Sequence, residues 1–236
     1  MEKRAHCSTK PFPAEVLAPP AALRNLQMTR YADAEFTQRR QTMSALPKHQ
    51  YTLAEYLELD RNSEARLEYW NGEIFDMSGV SEEHADIEGN VYFQLRLQLK
   101  GRPCRLFPAN IRIKVPSLPP YRYGDLSALC GKAKFEEIGG VDALTNPQLI
   151  IEVLSASTSD YDRGDKFSHY KSIPSFCEYL LIAQHRPHVT QFIKEGENRW
   201  VQHEFSQLDD VLKLVSLDCE LVLRDVYENV TFAPAA

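Results

Sequence analysis

The stretch LIIEVLS, residues 149–155, is an apolar run of strand length that carries one carboxylate, Glu152, between Ile151 and Val153. A lone carboxylate in a buried strand costs several kcal/mol unless a cation or hydrogen-bond donors meet it. Glu152 is therefore the first candidate metal ligand. Upstream, Asp125 sits in a second strand-like stretch, YGDLSAL (123–129), and downstream Lys166 follows in DYDRGDKFSHY (160–170). Two acids and a lysine in this order suit metal-assisted phosphodiester hydrolysis.

Outward from this centre the chain reads as α/β with a mixed central sheet, one helix before the acidic strands and one after. Thr52 and Glu55 form a capping-box pattern ahead of a helix from about residue 53 to 60. RLEYWNGEIFDM (66–77) is two short strands joined by Asn71-Gly72, a hairpin signal. Ser81 then starts a long helix to Lys100, with Ile87, Val91, Leu95 and Leu99 spaced by four to dock on the sheet. Strands are expected at CRLF (104–107), NIRIKV (110–115), GDLSAL (124–129) and QLIIEVL (148–154), with a loop over about 130–146. A helix from about 162 to 173 precedes strands at FCEYLLIA (176–183), HVTQFIK (188–194) and RWVQHEF (199–205). Residues 1–47 hold five of the 14 prolines without periodicity and read as a flexible extension before a domain at 48–232. Met28 and Met43 are both plausible alternative starts within it.

At 236 residues, 43% hydrophobic and 25% charged, the chain suffices for one well-buried domain. Cys7, Cys104, Cys130, Cys177 and Cys219 are odd in number and scattered without a CxxC, which argues for a reducing interior and against structural zinc. No apolar stretch approaches the ~20 residues of a membrane helix. The N-terminus lacks the apolar core of a signal peptide, so the expected location is cytoplasmic. Residues 1–50 carry eight Lys/Arg against four Asp/Glu, leaving 19 basic and 29 acidic residues in the remainder. A body that acidic is no general nucleic-acid binder. The exception is residues 91–114, where Arg96, Lys100, Arg102, Arg105, Arg112 and Lys114 occur with no acid. They line a nucleic-acid groove if they share a face, and are otherwise a solvated surface.

LEYWNGEIFDMSG (67–79), His84, GDLSAL, NPQLIIEVLSAST (146–158), DRGDKFSHY (162–170) and EYLLI (178–182) resemble the Uma-two family of restriction-endonuclease-like proteins, within the PD-(D/E)xK nuclease superfamily. The resemblance spans roughly residues 50–230 and is most specific from Pro147 to Tyr170. It implies a restriction-endonuclease-like fold and a Mg²⁺- or Mn²⁺-dependent endonuclease acting on DNA, often paired as a homodimer. Position by position it implies metal ligands at Asp125 and Glu152 and a lysine at Lys166. The superfamily lysine two residues after the glutamate falls on Leu154, and the proline usually found before the aspartate is Gly124. The residue types suit the chemistry, since Mg²⁺ takes hard oxygen ligands and is commonly held by one or two carboxylates plus substrate phosphate.

Each residue also has a plainer explanation. Lys166 lies four residues after Asp162, the favoured spacing for a surface helix pair. Glu68 approaches the site from the hairpin or sits on an exposed strand face. Tyr170, one turn after Lys166, holds the lysine or a phosphate. His84 reads as a helix-start or packing histidine. Ser155 lacks a GxSxG elbow and reads as a polar strand end. Two rival functions stay open: a binding or regulatory module that keeps the fold without efficient cleavage, and a hydrolase of a non-nucleic phosphate ester.

Overall fold

A computed structural model describes residues 49–77, 79–117, 119–138, 140–155 and 159–232. The expected extension, residues 1–47, lies outside the described residues. The chain opens with helix α1 (Leu53–Asn62), the hairpin β1 (Leu67–Trp70) and β2 (Glu73–Asp76), and helix α2 (Glu82–Gln98). Strands β3 (Cys104–Pro108), β4 (Arg112–Lys114), β5 (Tyr121–Tyr123), β6 (Leu126–Cys130), β7 (Phe135–Ile138), β8 (Val141–Leu144) and β9 (Leu149–Leu154) follow. A helical crossover then runs through α3 (Ser159–Tyr161), a π-helical turn (Asp162–Lys166) and α4 (Phe167–Tyr170). It leads to β10 (Glu178–Ala183), β11 (Val189–Lys194), β12 (Trp200–Phe205), β13 (Val211–Leu214), β14 (Cys219–Val222) and the short α5 (Leu223–Val226).

The local signals hold. Thr52 accepts from the Glu55 amide while the Glu55 carboxylate accepts from the Thr52 amide. Ser81 caps α2 by accepting from the His84 amide. Asn71 and Gly72 both take positive φ, 49° and 81°, as the two-residue turn between antiparallel β1 and β2 requires.

The central sheet has six strands in the order β12-β11-β10-β9-β6-β3. β9 and β10 are parallel, joined by the α3–α4 crossover, and the other pairs are antiparallel. All six residues of β9 are buried, because both faces of the sheet are covered. Leu149, Ile151 and Val153 pack with Ile87, Val91, Leu95 and Leu99 of α2. Ile150 and Leu154 face the other way, with Phe167, Tyr170, Phe176 and Tyr179. Leu154 is thus an apolar core residue, and no charge enters the sheet there.

Three expectations are corrected. The segment at 130–146 contains β7 and β8, which join β4 and β5 in a second sheet of order β5-β4-β8-β7. β7 is largely exposed and polar, so it shows no apolar run to read. The cysteines are not all free thiols, since Cys104 and Cys130 form a disulfide. They are 26 residues apart in sequence but are register partners on antiparallel β3 and β6. Cys177 and Cys219 are free. The helix near Lys166 begins earlier than expected, at Ser159, and its middle is a π turn, a wider i→i+5 geometry met mostly at functional sites.

Candidate metal centre and active site

Leu126 of β6 stands opposite Ile151 of β9, so the register brings Asp125, one residue before β6, towards Glu152 of β9, and the Asp125 carboxylate accepts from the Val153 amide beside it. Gly124 precedes Asp125, and a Cβ there would lie 2.9 Å from Ile150 Cγ2 and 3.5 Å from Glu152 Oε1. A side chain at position 124 would press on Ile150, while its distance to Glu152 is that of ordinary contact. Both acids line a cavity of about 390 Å³, together with His84, Asp162, Lys166, Arg66, Ser155 and Gln184.

The two carboxylates have different surroundings. Asp125 Oδ2 accepts from the Val153 amide at 2.7 Å and lies 3.4 Å from His84 Nε2. Burial alone would raise the pKa of Asp125, but the His84 contact outweighs it and lowers the pKa below the usual carboxylate value. Burial likewise opposes the charged form of His84, and the Asp125 carboxylate, aided by Glu88, reverses this and raises its pKa. His84 Nε2 is buried and has no hydrogen-bond partner. His84, Glu88 and Asp125 each place one ligand atom within 4.8 Å of the other two.

Glu152 is enclosed by protein groups. Its Oε2 accepts from Lys166 Nζ at 3.1 Å and its Oε1 from the Tyr170 hydroxyl at 3.1 Å. Burial pushes the Glu152 pKa well above the usual range, opposed by Lys166 and reinforced by Asp162, Asp125 and Glu68. Lys166 is 1% exposed, with Asp162 Oδ1 at 3.3 Å and Glu68 Oε2 at 3.7 Å besides Glu152. The surface-pair explanation of Lys166 is therefore corrected: the Asp162 pair exists, but in the interior. Burial would lower the Lys166 pKa, yet the three carboxylates outweigh it and raise it.

Glu68 sits on the buried face of β1, and Trp70 of the same strand is more exposed. Behind Glu68, Arg122 is buried, 3.7 Å from Glu68 Oε1, and donates to the carbonyls of Pro119 and Tyr121. Glu68, Asp125, Glu152 and Asp162 bring four carboxylates to this region, against the fixed cations Lys166 and Arg122. The balance is negative, as a site for a divalent cation requires.

The basic stretch is dispersed. Arg102 donates to the carbonyls of Leu217 and Asp218, which clamps the β13–β14 turn. Arg105 stacks over Phe107 with its Cζ 4.6 Å from the ring centroid. Arg112 pairs with buried Asp60, and Lys114 with Glu136. Arg96 on α2 and Lys100, two residues past its end, are exposed, and neither they nor Arg102 and Arg105 line the acidic cavity. Sequence reasoning missed Glu88, Asp162 as an interior group, and Arg122. For Glu88 a signal existed, since it follows His84 by one helical turn, a spacing that puts two side chains on one face.

Among the described residues no helix is long and apolar enough to cross a membrane. A chain from Synechocystis sp., the uncharacterized protein sll1609, is 33% identical over 65% of this chain and 86% of its own length. A second from the same organism, the uncharacterized protein slr1290, is 28% identical over 75% of this chain and 92% of its own. The fold is similar to a crystal structure from Anabaena variabilis titled "a putative nuclease belonging to DUF820". That similarity has a TM-score of 0.61 at 20% identity, and covers 76% of this chain and 99% of the other. The model of the Uma2 family, described as "Putative restriction endonuclease", matches residues 53–224, which take in the hairpin, the helix with His84, both acidic strands and the π turn. The chain therefore belongs to the Uma2 family.

Proposed function

We propose that this chain is a divalent-metal-dependent endonuclease that hydrolyses phosphodiester bonds in DNA. The observation that supports it best is the approach of Asp125 and Glu152 at one cavity, beside a buried His84 Nε2 that lies 3.4 Å from Asp125 Oδ2. The donor set fits a divalent ion. His84, Glu88 and Asp125 would hold it, and an imidazole beside two carboxylates suits Mn²⁺ better than Mg²⁺, which prefers oxygen alone. Such an ion would polarise the scissile phosphate and lower the pKa of the attacking water. Lys166 and Tyr170 fix the Glu152 carboxylate from behind, leaving it pointed at the cavity without freedom to rotate. Lys166 is a positioning residue in this reading, because its ammonium is already engaged by three acids.

Exposed Arg96 and Lys100 remain the candidates for phosphate contacts. They lie 12 and 16 residues beyond His84, about 18 and 24 Å along the helical rise. A duplex cut at the cavity would have to continue for roughly five to seven base steps of ~3.4 Å to reach them. The acidic body, 29 acids against 19 bases beyond residue 50, favours the second reading, hydrolysis of a smaller phosphate ester.

The test is cleavage of duplex DNA, single-stranded DNA and bis(p-nitrophenyl) phosphate with Mn²⁺, Mg²⁺ or EDTA. Asp125→Asn should lower the metal-dependent rate by about 10²- to 10³-fold, the usual effect of deleting one group that stabilises developing charge. Turnover of the small ester alone would select the second reading. Metal binding without turnover of any substrate would leave a binding module.

A further inference from the structure

We infer that the Lys166 ammonium fills a second cation position beside the metal centre, and that the chain for this reason takes one divalent ion, not two. The inference rests on the metal-dependent reading above and deepens it. Nζ of Lys166 is surrounded by Glu152 Oε2 at 3.1 Å, Asp162 Oδ1 at 3.3 Å and Glu68 Oε2 at 3.7 Å. These acids come from β9, the π turn and β1, so the enclosure is built by three separate parts of the fold. Glu68 Oε2 and Asp162 Oδ1 are buried and lack a hydrogen-bond partner, although each lies within ion-pair distance of the ammonium. Of the three oxygens only that of Glu152 is in hydrogen-bonding geometry with the ammonium, and the other two face it as charges alone, as oxygens do round an ion.

The position adjoins the metal centre through the acid pair. Asp125 faces His84 on one side and Glu152 faces Lys166 on the other, and both acids line one cavity. Two-metal phosphodiesterases hold their ions ~3.5–4 Å apart. Here one of two neighbouring cation positions is supplied by the chain itself. Lys166 thus neutralises buried acids that would otherwise demand a second ion, and among the described residues Arg122, 3.7 Å from Glu68, would be the cation left to them without it.

The experiment counts ions. Mn²⁺ is titrated calorimetrically into the full chain and into Lys166→Ala and Lys166→Met, with electron paramagnetic resonance of the bound Mn²⁺ as a second readout. The expected result is one ion per chain with an isolated-ion spectrum for the wild type, and two ions with an exchange-coupled spectrum for Lys166→Ala. Lys166→Met, which keeps the volume and drops the charge, should stay at one. Two ions in the wild type, or one in a folded Lys166→Ala, would overturn the inference and leave the metal-dependent reading standing. No ion in the wild type would instead remove that reading, and this inference with it. If Lys166→Ala is unfolded alone, circular dichroism decides: refolding on addition of Mn²⁺ supports the second position, and failure to refold overturns it.

Discussion

Gly124, next to Asp125, is packed against Ile150, whose Cγ2 would lie 2.9 Å from a Cβ there. Gly124→Ala should destabilise the fold by about 1 to 3 kcal/mol, the usual cost of forcing a methyl into a packed site. An unchanged urea midpoint would show that Ile150 can step aside. Asp125 and Glu152 could be picked out from the sequence because a charge within or beside an apolar run asks for a partner, whereas Lys166, in polar DYDRGDKFSHY, was marked by its order after the two acids and by the family resemblance. Glu88 could not, since an acid on a helix facing water needs no explanation, and only its spacing from His84 hinted otherwise. Arg122 was illegible for a different reason: it lies between Tyr121 and Tyr123 in a strand where all three residues are buried, with no alternation to mark its side.

At the scale of elements, the crossover between β9 and β10 binds the site to the second sheet through α4. His169 of α4 accepts from the buried Arg122 guanidinium, with Nη2 3.0 Å from Nδ1. Burial and then the Arg122 charge lower the His169 pKa. The unfolded chain therefore binds this proton more readily, so the contribution is present above the unfolded value of about 6.5 and is lost as pH falls through the lower folded one. His169→Gln should flatten the wild-type decline in urea midpoint below that pH, and parallel wild-type and variant curves would count against the contact. Helices and hairpins were readable where a side chain closes a backbone end, as at Thr52, Ser81 and Asn71. β7–β8 were missed because β7 is polar and exposed, and β13–β14 because their alternation of buried and exposed residues is confined to four residues per strand.

On the scale of the whole molecule, the Cys104–Cys130 bridge ties the edge strand β3 to β6, at the opposite end of β6 from Asp125. A loop of 26 residues closed in the unfolded chain corresponds to about 3 to 4 kcal/mol in the entropic model. Cys130→Ser should lower the urea-derived stability by that order, and loss of under ~0.5 kcal/mol would show that the reduced strands pair as well unaided. The charged centre, for its part, draws Glu68, His84, Asp125, Glu152 and Lys166 from segments spread over nearly a hundred residues. Their joining closes long loops before any contact repays the closure, which places this pairing among the slow, non-local steps of folding. Water must leave all of these charges together, so a partly folded chain gains nothing by burying one of them early. Completion of the charged centre is therefore tied to the helical crossover over β9, since Asp162 and Lys166 arrive only with it.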